Sequence, residues 1–216
     1  MLENFRPSKI LIIKIIIAIY FAVGVAGLTQ EATRLLFQQL IPLTLLSSLA
    51  IMLAFHPKWD TRHIWIFALI ALLGFWVEVV GIATGVVFGE YAYGEALGFK
   101  MLGTPPIIGI NWLLLTYSVF SILEPVRISP LEKILAGALM LVGFDIVLEP
   151  VAIAFDMWSW AGGAVPLQNY LAWFVISVVF LGIMHLAKIR INNPLAPYMF
   201  FVQLAFFIVL NFFIQA

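Results

Sequence analysis

The stretch "LEKILAGALMLVGFDIVLEPVAIAF", residues 131–155, shows the pattern that sets the fold class. After its first three residues it is apolar throughout, except for two acids, Asp145 and Glu149. A hydrocarbon core of ~30 Å requires ~20 apolar residues in a helix, because backbone groups in lipid must find their hydrogen-bond partners internally. The stretch therefore predicts a membrane-spanning helix, and Pro150 near its end predicts a bend.

Six other runs of the chain share this apolar character. Of the 216 residues, 64% are hydrophobic and only 10% are charged, and the mean hydropathy is +1.11. These values exclude an ordinary soluble domain. We therefore predict an all-α, polytopic membrane helix bundle of about seven transmembrane helices, forming a single integral membrane domain over residues 1–216 of a multi-pass protein of the cell membrane. The other six predicted spans are residues 10–28, 38–55, 64–87, 106–123, 170–188 and 198–215.

The distribution of lysine and arginine predicts the orientation of the bundle. With seven spans, eight of these residues fall on one side of the membrane, and only Arg34 and Lys100 fall on the other. Because positively charged loops stay in the cytoplasm, we predict a cytoplasmic N-terminus and a C-terminus outside. The eight residues are Arg6, Lys9, Lys58, Arg62, Arg127, Lys133, Lys188 and Arg190.

Several classes of function are excluded by composition. The chain has no cysteine, which rules out disulfides, thiolate nucleophiles and cysteine-bound metal. Its net charge is zero and it has no basic tract, so we expect no nucleic-acid partner. His56, His63 and His185 lack the spacing of metal ligands, and we expect no metal site; His56 and His63 are interpreted as loop residues at the cytoplasmic edge. The last span contains no lysine, which excludes a retinal Schiff base.

Three acids, Glu78, Asp145 and Glu149, fall inside predicted spans. Ionisable residues within a bilayer are costly, and they mark functional sites by default. Asp145 and Glu149 are four residues apart and so share one helix face. At ~1.5 Å of rise per residue, Glu78, Glu149 and Asn111 all come to a depth of roughly 21–23 Å from the cytoplasmic side. We therefore predict one polar layer built from three helices.

Two segments, residues 88–105 and 156–169, lie outside this layer on the predicted outer side. They are rich in Gly, Pro, Trp and Tyr, which suits segments folded back at the interface. We expect their polar and aromatic side chains to roof the layer. An alternative is that the acids only strengthen helix packing and that the aromatic residues form an interfacial belt. The roof candidates are Tyr91, Tyr93, Lys100, Asp156, Trp158, Trp160 and Asn169.

The same region resembles a known family. "FGEYAYGEALGFKMLGTPPIIGINW" (residues 88–112), followed by "DIVLEPVAIAFDMWSW" and "VPLQNYLAWF", is similar to the membrane carotenoid biosynthesis proteins, which include carotenoid 1',2'-hydratases and bisanhydrobacterioruberin hydratase-like enzymes. The resemblance covers residues 74–173. It implies addition of water to a terminal double bond of an acyclic carotenoid, without a redox cofactor. We accordingly expect no cofactor.

The polar layer suits this chemistry. Hydration of an isoprenoid alkene begins with a proton delivered to the less substituted carbon. Burial and a second carboxylate favour the neutral, proton-carrying form of a carboxyl group, so we predict Asp145 as the acid, with Glu149 or Glu78 positioning water. Protonation leaves a tertiary cation, which the faces of aromatic rings would stabilise. Asn111 and Asn169 would orient the water that captures it. The aromatic candidates are Trp76, Tyr91, Tyr93, Trp112, Trp158, Trp160 and Trp173.

Other functions remain open at this point. The same protonation followed by attack of a neighbouring double bond would give a carotenoid cyclase of the lycopene type. Buried acids also occur in membrane carriers, and a non-catalytic carotenoid-binding subunit is a further alternative. The expected partners are an acyclic carotenoid within the bilayer, water and, for a pathway complex, other carotenoid pathway enzymes.

Overall fold

The computed structural model describes residues 7–215, so Arg6, which entered the charge count, lies outside the described residues. Within that range the chain is a bundle of helices with two short strands, which confirms the predicted all-α polytopic class. The helices are α1 (Pro7–Thr29), α2 (Glu31–Gln39), α3 (Ile41–Ala54), α4 (Thr61–Thr84), α5 (Ile107–Leu123), α6 (Pro130–Ala154), α7 (Leu167–Leu186) and α8 (Ala196–Gln215). The strands are β1 (Tyr91–Tyr93) and β2 (Trp158–Trp160).

Five helices, α1, α4, α6, α7 and α8, are long and apolar enough to cross a membrane. The protein is therefore an integral membrane protein. Helices α2 and α3 meet at 55° and together satisfy the same criterion as one broken span, whereas α5 has only 17 residues. The count of seven spans, the orientation of the termini and the single domain over the whole chain stay predictions.

The predicted second span differs from the structure at its start. Residues 38 and 39 belong to α2, a separate nine-residue helix that the sequence analysis treated as a connection. Pro42 lies in the first turn of α3 and has no N–H to donate to the carbonyl of Gln38, so the helical ladder breaks near Leu40. The predicted fifth span, in contrast, is one α-helix that continues through Pro150.

Close packing between α4 and α5 fixes two site residues relative to each other. A Cβ atom at Gly74 of α4 would come within 2.7 Å of Trp112 Cβ on α5, and one at Gly109 of α5 would clash with the carbonyl oxygen of Ala71. The two helices can approach this closely only because both positions lack a side chain. Trp112 is consequently held beside Glu78, one turn beyond Gly74 on α4.

The two segments predicted to lie outside the polar layer meet over one end of the bundle. Strands β1 and β2 pair antiparallel, with Tyr91 opposite Trp160 and Tyr93 opposite Trp158. Backbone hydrogen bonds from Gly94 N to Met157 O and from Ala161 N to Glu90 O extend the pairing on both sides. We call residues 85–106 and 155–166 together the lid.

Candidate active site

The lid directs four aromatic side chains towards the bundle. Successive side chains of a strand alternate between faces, so "YAY" in β1 and "WSW" in β2 each place two aromatic rings on one face and a small residue on the other. Tyr91 packs against Trp160 with ring centroids 5.2 Å apart, and Tyr93 packs against Trp158 at 6.2 Å. All four rings also carry a polar N–H or O–H, which is available to a group beneath them.

Glu78 on α4 accepts hydrogen bonds from three aromatic side chains, two in the lid and one on α5. The hydroxyls of Tyr91 and Tyr93 donate to Oε2 at 2.5 and 2.7 Å, and Trp112 Nε1 donates to Oε1 at 3.0 Å. Burial, followed by the charge of Glu78, raises the pKa of Tyr91 and of Tyr93, so both phenols stay protonated and act as donors. A carboxyl group that accepts three hydrogen bonds is well suited to carry negative charge.

Glu149 on α6 is held by the other half of the lid. Trp158 Nε1 and Trp160 Nε1 each donate to its Oε2 at 3.0 Å. The amide of Asn169, near the start of α7, bridges the two acids of α6: its Nδ2 lies 2.7 Å from Asp145 Oδ2 and 3.4 Å from Glu149 Oε1. The predicted pair on one helix face is thus joined by a third helix.

Asp145 differs from the other two acids in its hydrogen bonding. Its side chain is fully buried, Oδ2 has the single donor Asn169, and Oδ1 has no hydrogen-bond partner among the described residues. An ionised carboxylate accepts on both oxygens, whereas a protonated one presents an O–H that can be given away. Of the three acids, Asp145 is therefore the one whose surroundings least suit an anion.

The acids and the lid enclose a cavity of about 30 Å³, which we call the acid cavity. Trp112 and Trp173 stack in its wall with ring centroids 4.1 Å apart. Its lining residues are Glu78, Phe88, Tyr91, Tyr93, Ile108, Asn111, Trp112, Asp145, Glu149, Trp158, Trp160, Asn169 and Trp173. The structure therefore brings together eleven of the fourteen site residues proposed from the sequence.

The remaining three lie elsewhere. Trp76 is 49% exposed on the surface of α4, since it is two residues from Glu78 and so roughly 200° around the helix. Lys100 Nζ pairs with Glu95 Oε1 at 2.8 Å on the outer side of the lid. Asp156 is exposed and accepts a hydrogen bond from Glu95 N at 2.9 Å, which shapes the turn into β2. None of the three lines the acid cavity.

Two lining residues, Phe88 and Ile108, were missed from the sequence. Ile108 precedes Asn111 by three positions on α5 and so shares its face, which helical spacing alone could have indicated. Phe88 lies against Gly81, where a Cβ atom would come within 2.6 Å of its ring. No sequence pattern predicts that contact. No group of three or more His, Asp or Glu suited to a metal ion occurs within residues 7–215.

A larger, apolar space adjoins the acid cavity. It has a volume of about 130 Å³ and lies between α1, α2, α3, α5, α6, α8 and the lid. We call it the groove. Ile108, Asn111 and Trp158 line both the groove and the acid cavity, so the two spaces share a boundary at these side chains.

One known protein family matches most of this chain. The family model described as carotenoid biosynthesis protein matches residues 39–216. The chain belongs to the carotenoid biosynthesis protein family. This confirms the resemblance seen in residues 74–173 and gives the protein a role in carotenoid biosynthesis.

One curated relative of this carotenoid biosynthesis protein is the bisanhydrobacterioruberin hydratase of Haloarcula japonica. It is 28% identical over 143 residues, which are 61% of this chain and 48% of the relative. The chain thus matches about half the length of that hydratase. No solved structure matches the chain. The family match begins at residue 39, so it contains the acids, the lid and Asn169 but not α1.

Proposed function

We propose that this carotenoid biosynthesis protein is a hydratase, an enzyme that adds water across the terminal double bond of an acyclic carotenoid end group. The observation that carries the proposal is the contrast among three buried acids: Glu78 and Glu149 are each held by aromatic N–H or O–H donors, whereas Asp145 Oδ1 has no partner within the described part of the chain. The name of the Haloarcula relative supports the same reaction.

Asp145 is the proton donor of the proposed reaction. Its O–H bond breaks as the π electrons of the alkene form a new C–H bond at the less substituted carbon. The positive charge is left on the more substituted, tertiary carbon. This step requires an acid that is protonated beforehand and close to an apolar substrate, and the full burial of Asp145 favours both.

The cation is stabilised by the walls of the acid cavity. The outer face of the stacked Trp112–Trp173 pair would attract positive charge, by ~2 kcal/mol or more when water is excluded. Glu78, fixed by three donors, supplies a negative charge nearby and is too constrained by those donors to attack the cation. The same three contacts preorganise the charge before substrate arrives, so no reorganisation is needed during the reaction.

Water completes the addition. Its oxygen forms a bond to the tertiary carbon as one of its O–H bonds breaks and that proton passes to Glu149. Transfer of this proton from Glu149 to Asp145 then restores the starting state of the pair. Asn111 lies at the edge of the acid cavity, and its side chain makes no hydrogen bond to any described residue. A free amide beside the acid is well placed to hold the attacking water.

That amide also favours hydration over the cyclase alternative. A cyclase must keep water away from the same cation, and a wall that is apolar at the position of Asn111 would serve it better. A carrier needs a polar path from both sides, whereas the acids here lie under a lid whose strands pair across the bundle end. We propose that the reaction takes place in the cell membrane, where the carotenoid is dissolved.

Product analysis in a host that makes lycopene or a related acyclic carotene tests the proposal. The wild-type protein should give a more polar product that is heavier by one water per processed end. The Asp145→Asn variant, at equal abundance in the membrane, should give none. An isomeric cyclic product would establish the cyclase instead, and an unchanged profile across several acyclic carotenes would end the hydratase proposal.

A further inference from the structure

The groove has two different ends. At its inner end it meets the acid cavity at Asn111 and Trp158. At its outer end it is bordered by Tyr20 and Val23, which are 42% and 51% exposed at the surface of α1. Tyr20 Oη and Thr44 Oγ1 are 3.0 Å apart, so a single hydrogen bond links α1 to α3 beside this outer end.

Helix α6 places the groove directly beside the proton donor. Phe144 and Leu148 line the groove, while Asp145 and Glu149, the next residue in each case, line the acid cavity. Adjacent residues of an α-helix are separated by about 100°, so the two spaces lie against neighbouring faces of the same two turns. A chain lying in the groove would therefore need only a short advance past Asn111 to bring its end to Asp145.

We propose that the groove binds the polyene chain of the carotenoid, and that the chain enters it from the bilayer between α1 and α3 beside Tyr20. This inference rests on the proposed function, because it supplies the route by which the end group reaches Asp145. The rest of the carotenoid remains in lipid.

The lining of the groove matches a polyene better than a flexible lipid chain. Phenylalanine rings come from four helices, with Phe21 on α1, Phe37 on α2, Phe144 on α6 and Phe206 on α8. Flat rings pack well against a flat conjugated chain, and a rigid chain loses little conformational entropy when it is held. A saturated acyl chain would lose rotational freedom along its whole length in the same space.

Filling the groove tests this inference without touching an acid. Gly24 lines the groove, and a Cβ atom there would lie 3.2 Å from Phe206 Cε2, so the side chain of Gly24→Leu would enter the space. Leu45→Trp fills it independently from α3. Gly143→Leu is the matched control, because a Cβ atom at this exposed position on α6 has nothing within 4 Å. Melting temperatures in detergent establish that each variant is folded.

Binding and turnover are measured separately, with lycopene as the probe. Binding is followed by titration, using the visible absorbance of bound lycopene, in the Asp145→Asn background, where the probe is not consumed. We expect Gly24→Leu and Leu45→Trp to weaken lycopene binding about tenfold or more, which corresponds to ~1.4 kcal/mol, and to lower turnover in the Asp145 form. Gly143→Leu should behave as the unsubstituted protein in both measurements.

The outcomes separate this inference from the proposed function. If both groove variants bind lycopene as tightly as Gly143→Leu does, the groove is not the polyene site. If they lose copurifying phospholipid but not lycopene, the groove holds a lipid chain and the inference is overturned. If lycopene binding depends on the groove but no variant forms a hydrated product, the groove proposal stands and the hydratase proposal fails. Absence of lycopene binding by the unsubstituted protein would overturn the groove proposal.

Discussion

The acid cavity and a second polar cluster near the opposite end of the bundle show what distinguishes a reactive site from a structural one. In the second cluster, which we call the histidine cluster, His56 Nδ1 and Asn193 Nδ2 each lie 2.8 Å from the hydroxyl of Tyr117. Asn193 also donates to the carbonyl of Met52 and accepts from the backbone of Leu195. The cluster therefore holds the segment after α3 and the segment before α8 against α5.

Unpartnered atoms do not by themselves separate the two regions. His56 Nε2 and His63 Nε2 are buried without a hydrogen-bond partner among the described residues, as is Asp145 Oδ1. The difference lies in what surrounds them. The acid cavity combines three acids with an aromatic wall and an adjoining apolar groove, whereas in the histidine cluster the side chains of His56, Asn193 and Tyr117 hydrogen-bond to one another and to the backbone of Met52 and Leu195. The comparison predicts that changes in the first region affect turnover and changes in the second affect stability.

The largest effect is expected from Asp145→Asn. Loss of the proton donor should lower turnover by at least ~10²-fold, within the range found for general acids. The melting temperature should be unchanged or higher, because an amide places no ionisable group in the buried position. Turnover per folded protein and thermal unfolding in detergent measure the two effects. Near-normal turnover would assign the acid to Glu78 or Glu149.

Smaller losses are expected from the other two acids. Glu149→Gln removes the group that takes the proton from water and should lower turnover about tenfold to a hundredfold. Glu78→Gln keeps an oxygen for the Tyr91 and Tyr93 hydroxyls but loses the negative charge near the cation, so it should also slow the reaction. Turnover of each variant in water and in deuterium oxide distinguishes the two roles. Only Glu149→Gln should change the solvent isotope effect relative to the wild type. Equal isotope effects would contradict the roles assigned here.

Tyr117→Phe should lower stability and leave turnover almost unchanged, which is the opposite of the effect expected for Asp145→Asn. The substitution deprives His56 and Asn193 of their shared partner, and an unsatisfied buried polar group costs about 1–3 kcal/mol. The melting temperature should fall by several degrees, while turnover per folded protein should stay within about twofold of the wild type, since a contact remote from the reacting atoms leaves the barrier almost unchanged. A large loss of turnover with normal stability would mean that the histidine cluster takes part in the reaction.

The smallest effect is a dependence of stability on pH. Burial, and then the neighbouring His63, lower the pKa of His56 from 6.5 to about 4, against smaller opposing contributions from Lys58 and Asp60. The unfolded chain therefore binds a proton in this window that the folded chain does not, and stability should fall as the pH drops from about 6.5 towards 4. His56→Gln should show a weaker decline in melting temperature over that window. An identical decline would place the effect on another group.

Sequence patterns located the long helices and most residues of the acid cavity, but not the short helix α2. Apolar runs locate the helices because lipid leaves few alternatives, and helical rise puts Glu78, Asn111 and Glu149 at one depth. Trp76 was proposed as an aromatic face for the cation, but it lies two positions from Glu78 on α4, so the two side chains point to nearly opposite sides of the helix.

Contacts between distant segments could not be read from the sequence. The pairing of "YAY" with "WSW" joins residues more than sixty positions apart, and three-residue strands give almost no periodic signal. His56 and His63 were interpreted as loop residues, whereas both are buried, His63 within α4. His56 hydrogen-bonds to Tyr117 of α5, whose hydroxyl also accepts from Asn193 in the segment before α8. Only the folded chain brings these residues together.

Isotope labelling of the product tests the central claim most directly. Membranes containing the wild-type protein are incubated with an acyclic carotene in water enriched in oxygen-18, and the product is analysed by mass spectrometry. We expect one oxygen-18 atom in each processed end group, bound to the tertiary carbon, and no such product from Asp145→Asn. A product without label and with the mass of the substrate would contradict hydration, and labelled product from Asp145→Asn would contradict its role as the acid.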